Sequence, residues 1–153
     1  HDLCVRGLQD WNVEPHEVLC SAGLKCPSML FVAHGCVLYG QGFGRQRSFT
    51  VVTTSAASSR VEPLMVGDTR DGNNNIQFLT HGDWLCEQCL WTEWTYIGKA
   101  TADGRTTLLC LSPETLMEVT RLHRAATAEL ILYARLFVNA LKDIPEEDRS
   151  DLP

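Results

Sequence analysis

Gly82-Asp83-Trp84-Leu85-Cys86-Glu87-Gln88-Cys89-Leu90-Trp91 is the stretch on which the reading of the fold turns. A Gly-Asp turn leads into what reads as a short helix, with strand-like sequence on both sides. The first turn of a helix leaves backbone N–H groups unpaired at the positive end of its dipole, so such an entry suits an anion. Upstream, Asp71-Gly72-Asn73-Asn74-Asn75 is a strong turn signal followed by the strand Ile76-Gln77-Phe78-Leu79. Downstream, residues 96–101 read as a strand, and Asp103-Gly104 as a hairpin turn into residues 106–111.

Working outward, Leu3, Val5, Leu8 and Trp11 have a helix-like spacing and predict a helical lead-in over residues 1–12. From Val13 the texture becomes strand-like. Glu17-Val18-Leu19-Cys20 is a short apolar strand candidate, and Ser21-Ala22-Gly23 reads as a turn. Met29-Leu30-Phe31-Val32-Ala33 and Cys36-Val37-Leu38-Tyr39 are strands separated by His34-Gly35, a hairpin or bulge position. Gly40-Gln41-Gly42-Phe43-Gly44-Arg45 lacks the final glycine of a dinucleotide fingerprint and no helical pattern follows it, so it reads as an ordinary loop. Residues 48–54 are rich in β-branched side chains, and the apolar run 61–66 contains Pro63, which suits a sheet edge.

Helix begins at Ser112-Pro113, a good N-cap followed by a proline whose missing N–H costs nothing there. Leu116, Val119 and Leu122 follow at helical spacing, then Leu130, Tyr133, Ala134, Phe137, Val138 and Leu141 on one face. The expected organisation is therefore a lead-in at 1–12, a β body at 13–111 containing the 82–91 stretch, helices at 112–144, and an acidic end at 145–153. That end, Pro145-Glu146-Glu147-Asp148-Arg149-Ser150-Asp151, reads as a solvated tail or linker.

Composition narrows the function classes. The 153 residues are enough for one core, and no apolar run approaches the length that spans a bilayer. A net charge of −6 argues against a nucleic-acid binder, which would carry a basic face. The seven cysteines are an odd number, and several lie in apolar runs, as reduced, buried thiols do. The chain thus reads as cytoplasmic, and its start at His1 as the start of a piece of a longer protein. His1, His16, His34, His81 and His123 form no recognisable catalytic pattern, and no G-x-S-x-G or Walker-type loop occurs, so no enzyme is expected. Cys86-x-x-Cys89 lacks a second pair at zinc-ligand spacing, with Cys20 and Cys26 too far apart to count as one. No metal or other cofactor is expected, and the two thiols read as facing the core together.

Three passages, in order, resemble the cyclic-nucleotide-binding domain family. Pro15-His16-Glu17-Val18-Leu19, Gly23, Met29-Leu30-Phe31-Val32 and Gly35-Cys36-Val37 resemble its opening; residues 71–87 resemble its turn, strand and phosphate-binding cassette, whose core reads Gly-Asp-x-Phe-Gly-Glu; residues 100–111 and the helices after them resemble its closing strands, hinge and lid. Leu122-His123-Arg124 and the run 133–138 are similar to lid segments of channel-attached members. The resemblance implies a β-roll, jelly-roll-like, flanked by a short N-terminal helix, a short cassette helix and C-terminal hinge and lid helices.

It also implies a ligand site at Gly82, Leu85, Cys86, Glu87, Gln88, Cys89, Trp94 and Thr95, where the cassette and an arginine would hold the cyclic phosphate and Glu87 the ribose 2′-OH. Here Cys86 replaces the cassette glycine and Leu85 the aromatic, and Trp94, Thr95 and Tyr96 stand where the arginine would lie. Losing a charge-assisted contact of that kind costs about 1.5–3 kcal/mol or more, roughly ten- to a hundred-fold in affinity. Trp84, Trp91 and Trp94 read as packing residues, with an aromatic wall for a planar ligand as the rival reading. The implied function is a non-catalytic regulatory domain of a larger protein, such as an ion channel or kinase, with weak or lost cAMP or cGMP binding. The alternatives are a working sensor with an atypical pocket, or a ligand-free module whose lid helix meets an attached effector domain or neighbouring subunit.

Overall fold

A computed structural model describes residues 7–41 and 76–153. The glycine-rich loop beyond Gln41, the strands expected at 48–54 and 61–66, and the turn at 71–75 lie outside the described residues. So do residues 1–6 of the expected lead-in helix.

The described residues form eight strands: β1 (Gln9–Val13), β2 (Val18–Cys20), β3 (Met29–His34), β4 (Val37–Gln41), β5 (Ile76–Leu79), β6 (Trp84–Leu85), β7 (Gly98–Ala102) and β8 (Thr106–Leu111). They make two antiparallel four-stranded sheets, ordered β1-β8-β3-β6 and β2-β7-β4-β5. Alternation along the strands supplies the core between them: Gly98, Ala100 and Ala102 of β7 and Thr106 and Leu108 of β8 point in, beside Val32, Val37, Tyr39 and Leu85. The chain is thus mainly β, as its sequence led one to expect.

Two local expectations are corrected. Where a helix was expected up to residue 12, Gln9–Val13 is a strand paired with β8, from Gln9 opposite Cys110 to Val13 opposite Thr106. Val13 is buried while Asp10 and Asn12 are exposed, a period of two that overrides the helix-like spacing of the preceding apolar residues. The second correction concerns Asp103-Gly104, which does not close a hairpin. β7 and β8 belong to different sheets, so this turn is a corner that carries the chain across the core. The same holds for Gly35 between β3 and β4, although a register irregularity between Val32 and His34 does put a bulge beside it. The two corners are tied together: Asp103 N–H donates to Cys36 O at 2.9 Å, and Thr106 Oγ1 to the same carbonyl at 3.1 Å. Gly35, at φ +92°, lies so close to Arg105 and Thr106 that a Cβ there would stand 2.6 Å from the Arg105 carbonyl oxygen.

Helix α1 (Pro113–Arg121) starts as read, with Ser112 Oγ accepting from Thr115 N–H at 3.2 Å and Pro113 in the first turn. It buries Leu116 and Val119. After an elbow in which Thr127 Oγ1 donates to Thr120 O at 2.8 Å, α2 (Arg124–Asp143) runs for 20 residues. Leu130 and Leu141 pack against the core, whereas Ile131, Leu132 and Leu136 stay exposed. Among the described residues no helix is long and apolar enough to cross a membrane.

Candidate functional site

The 82–91 stretch is a strand and a single helical turn. Gly82 turns at φ +93°, its N–H donating to Val32 O at 3.0 Å, while the Asp83 carboxylate closes the turn by accepting Thr80 N–H at 2.7 Å. Trp84 and Leu85 then pair with β3, and Glu87–Leu90 form one 3₁₀ turn rather than the expected cassette helix. With so few residues aligned, the helix-dipole contribution to anion binding largely disappears. Cys86, at the position of the family's glycine, is fully buried and takes the left-handed conformation, φ 66°, that glycine adopts freely.

What meets this turn is the chain's own end. Residues 142–148 are exposed, but from Arg149 the segment folds inward, and Asp151 is completely buried with Leu152 nearly so. This corrects the reading of 145–153 as a solvated tail. The Asp151 carboxylate accepts four donors: Tyr39 OH at 2.9 Å, Trp94 Nε1–H at 2.7 Å, Ile97 N–H at 2.9 Å and Gly98 N–H at 2.8 Å. Its main-chain oxygen accepts Cys86 N–H at 2.6 Å. Gln88 Nε2 donates to Ser150 O at 2.7 Å and Gln41 Nε2 to Arg149 O. Among the described residues no lysine or arginine pairs with Asp151, and each of its side-chain partners is a neutral donor. Burial, reinforced by the adjacent carboxylate, pushes the Tyr39 phenol well above its ordinary range and keeps it a donor. Gly98 makes the seat possible, because a Cβ there would collide with Tyr39 at Cζ and the hydroxyl.

The other expected site residues divide. Glu87 faces α2: it accepts Tyr133 OH at 2.6 Å and, at 3.4 Å, Trp91 Nε1–H. Trp91 meets the Tyr133 ring edge-on at 5.6 Å and lies 6.4 Å from the Phe137 ring. The glutamate expected to bind a sugar thus latches the lid helix. Gln88 serves the tail through its nitrogen, while its buried Oε1 has no protein partner. Trp94 supplies an indole donor, but Thr95 points to solvent in a bridge with Lys25 and takes no part. Gly82 and Leu85 shape the turn without touching the tail's carboxylate.

Cys89 is buried beside Cys86, as read, but Cys26 joins them. The loop carrying Cys26 is strapped to residues 94–96 by Cys26 N–H to Trp94 O, Tyr96 N–H to Leu24 O and Gly23 N–H to Tyr96 O, each 2.9 Å. The Cys26 thiol donates to Ser28 O at 3.4 Å, and Cys26, Cys86, Cys89 and Tyr96 belong to the same buried cluster. Among the described residues no group of three or more His, Cys, Asp or Glu is placed to hold a metal ion.

Solved structures with this arrangement of sheets and helices carry the comparison. The N-terminal domain of a transcriptional regulator from Streptomyces coelicolor A3(2) matches at TM-score 0.58 with 17% identity, over 91% of this chain and 80% of that one. The catabolite activator protein of Thermus thermophilus matches at TM-score 0.55 with 18% identity, over 92% of this chain. A cyclic nucleotide-binding-like protein from Brucella abortus matches at TM-score 0.52 with 13% identity, over 74% of this chain and 76% of that one. The fold is cyclic-nucleotide-binding-like. The chain spans 55% of the Thermus protein, and at such identities the fold is what is shared. No protein-family model matches the sequence, and no curated protein sequence does. Within the cyclic-nucleotide-binding-like fold, the residues that sequence reading missed are Tyr39, Ile97, Gly98 and Asp151. Only the alternation in β4 and β7 hinted that Tyr39 and Gly98 face inward.

Proposed function

We propose that this chain is a non-catalytic regulatory module of a larger protein, in which the ligand seat of a cyclic-nucleotide-binding-like fold is filled by the chain's own C-terminal segment. The observation that carries this reading is the buried Asp151 carboxylate, held by four donors, with its carbonyl on the N–H of Cys86. The segment takes the amide at the family's glycine position, and Tyr133 takes the family's glutamate, so neither is left for a nucleotide. A cyclic phosphate would have to displace Asp151 and, among the described residues of the seat, would find no arginine to compensate its charge. Binding of cAMP and cGMP is weak or absent as a result. The tail follows α2 directly, so leaving the seat would free the lid helix, and its attitude is what an attached effector or neighbouring subunit would read.

Calorimetry and tryptophan fluorescence with cAMP and cGMP test this. The expected result is no heat and no shift in melting temperature at millimolar nucleotide for the natural sequence. Asp151→Ala is expected to uncover millimolar binding. Micromolar binding by the natural sequence, abolished by Glu87→Ala, would overturn the proposal in favour of a working sensor.

A further inference from the structure

The seat that holds Asp151 reads more than one charged side chain. Three consecutive carbonyls of the tail each accept a hydrogen bond: Arg149 O from Gln41 Nε2, Ser150 O from Gln88 Nε2 at 2.7 Å and Asp151 O from Cys86 N–H at 2.6 Å. Arg149 enters in extended conformation, φ −68° and ψ 146°, and Leu152 is 9% exposed within the core cluster. Main-chain contacts of this kind hold a peptide whatever its sequence, while the side chains that enter pockets supply the selection. Deepening the reading of the filled seat, on which this inference rests, we infer that the seat is a peptide-binding site. It takes, in trans, a short extended segment bearing an aspartate followed by a large apolar residue, and the chain's own residues 149–152 are the resident example.

The aspartate is selected by shape as well as by charge. Its Oδ1 accepts Trp94 Nε1–H at 2.7 Å and Ile97 N–H at 3.1 Å, and its Oδ2 accepts the same Ile97 N–H at 2.9 Å, Gly98 N–H at 2.8 Å and Tyr39 OH at 2.9 Å. The donors thus converge on two oxygens in one plane. A tetrahedral phosphate would bring further oxygens that these donors do not serve, and a dianion would bring a second charge to neutral partners. An asparagine would turn its NH₂ group against donors.

A further observation is independent of Asp151. Gln88 is 4% exposed, and its buried Oε1 has no protein partner while its Nε2 serves Ser150 O. The resident tail therefore leaves one acceptor of its seat unused, and a segment that donates there would outbind it.

The tether presents the tail at roughly millimolar local concentration, so a docked tail implies a dissociation constant below about one millimolar for the free segment. The test titrates a synthetic peptide of residues 146–153 into the full-length Asp151→Ala variant by calorimetry, once circular dichroism has verified its fold. The expected result is saturable binding below about one millimolar. The same peptide carrying Asp151→Asn or Leu152→Ser should bind at least about ten-fold more weakly, as should sodium acetate and inorganic phosphate, with phosphate the weaker of the two anions. If the variant does not fold, the natural protein replaces it: unlabelled peptide at about ten millimolar, above the local supply, should move the Asp151 and Leu152 amide signals of nitrogen-15-labelled protein to those of a released segment. No saturable binding by the folded variant, or no such movement in the natural protein, would overturn the inference. Equal binding of the Asp151→Asn peptide would overturn it too, and so would acetate binding as tightly as the peptide, which would reduce the site to an anion hole. Sedimentation of Asp151→Ala mixed with the natural protein distinguishes the sources of the segment: a mixed dimer assigns it to a second copy, and a variant that binds the peptide yet stays monomeric assigns it to another polypeptide. Micromolar cAMP binding by the natural sequence would end the reading of a filled seat without altering the peptide titration, so the two can fail separately.

Discussion

Asp151 shows how far one residue can depart from what its neighbours suggest. In a run with Asp143, Glu146, Glu147 and Asp148 it reads as one more solvated acid, and nothing in charge pattern marks the member that will be buried. Its donors lie on β4 and on the 94–98 segment, more than fifty positions away, and become visible only when the sheets are assembled. Glu87 and Cys86 were legible because a local motif frames them. Removing Asp151 as alanine leaves four donors unpaired, each costing about 1–3 kcal/mol if it stayed dry. The tail can undock instead, so the expected outcome is rapid tryptic cleavage after Arg149, with a smaller loss of global stability than that sum. Cys86 should reverse the usual ranking of substitutions: at φ 66°, Cys86→Gly should be less destabilising than Cys86→Ala, by about 1 kcal/mol, in denaturant melts. Gly98→Ala should cost about 1–3 kcal/mol through collision with Tyr39 and lower the melting temperature by several degrees.

Among the elements, strands and helix starts were the most legible, because alternation and capping are local. β3, β4 and β5 fall where they were read, and Ser112-Pro113 opens α1 as its chemistry requires. Pairing was less legible. A turn sequence says that the chain reverses, not whether the next strand joins the same sheet, and the corners at Gly35 and Asp103-Gly104 both cross instead. The short helix read at this stretch is a single 3₁₀ turn, a form that sequence does not separate from a short α-helix because Leu85, Cys86 and Cys89 are apolar at spacings either would give. The latch between Glu87 and α2 can be tested at this scale. Tyr133→Phe keeps the ring contacts with Trp91 and Phe137 but loses the hydrogen bond, and should weaken lid docking by about 0.5–1.5 kcal/mol, read as faster amide exchange in α2. The bond to Glu87 raises the Tyr133 phenol from 10.0 to about 12. A folded-state value above the unfolded one means that this stabilisation is complete below pH 10 and fades as pH rises toward 12. The difference in melting temperature between the natural sequence and Tyr133→Phe should therefore close across that interval.

In the whole molecule, the last residues complete the core that the strands begin. Tyr39, Trp94, Gly98 and Asp151 join β4, the segment after the 3₁₀ turn, β7 and the tail, while Glu87 and Tyr133 join the same turn to α2. The overall architecture could be read from the order of its motifs, yet the seat of Asp151 could not, since that residue lies more than fifty positions from every donor that holds it. That origin has a quantitative consequence. A segment tethered by a short connection meets its seat at an effective concentration of roughly millimolar, however dilute the protein is. Any free molecule present at micromolar levels competes at a disadvantage of about a thousand-fold before affinities are compared. Tail protection should accordingly stay constant on dilution from micromolar to nanomolar protein, as tryptophan fluorescence would report, and a synthetic copy of residues 146–153 should fail to displace the resident segment at equal concentration. Occupancy of the seat is then set by geometry and covalent attachment, and a competitor can change it only by exceeding that local supply.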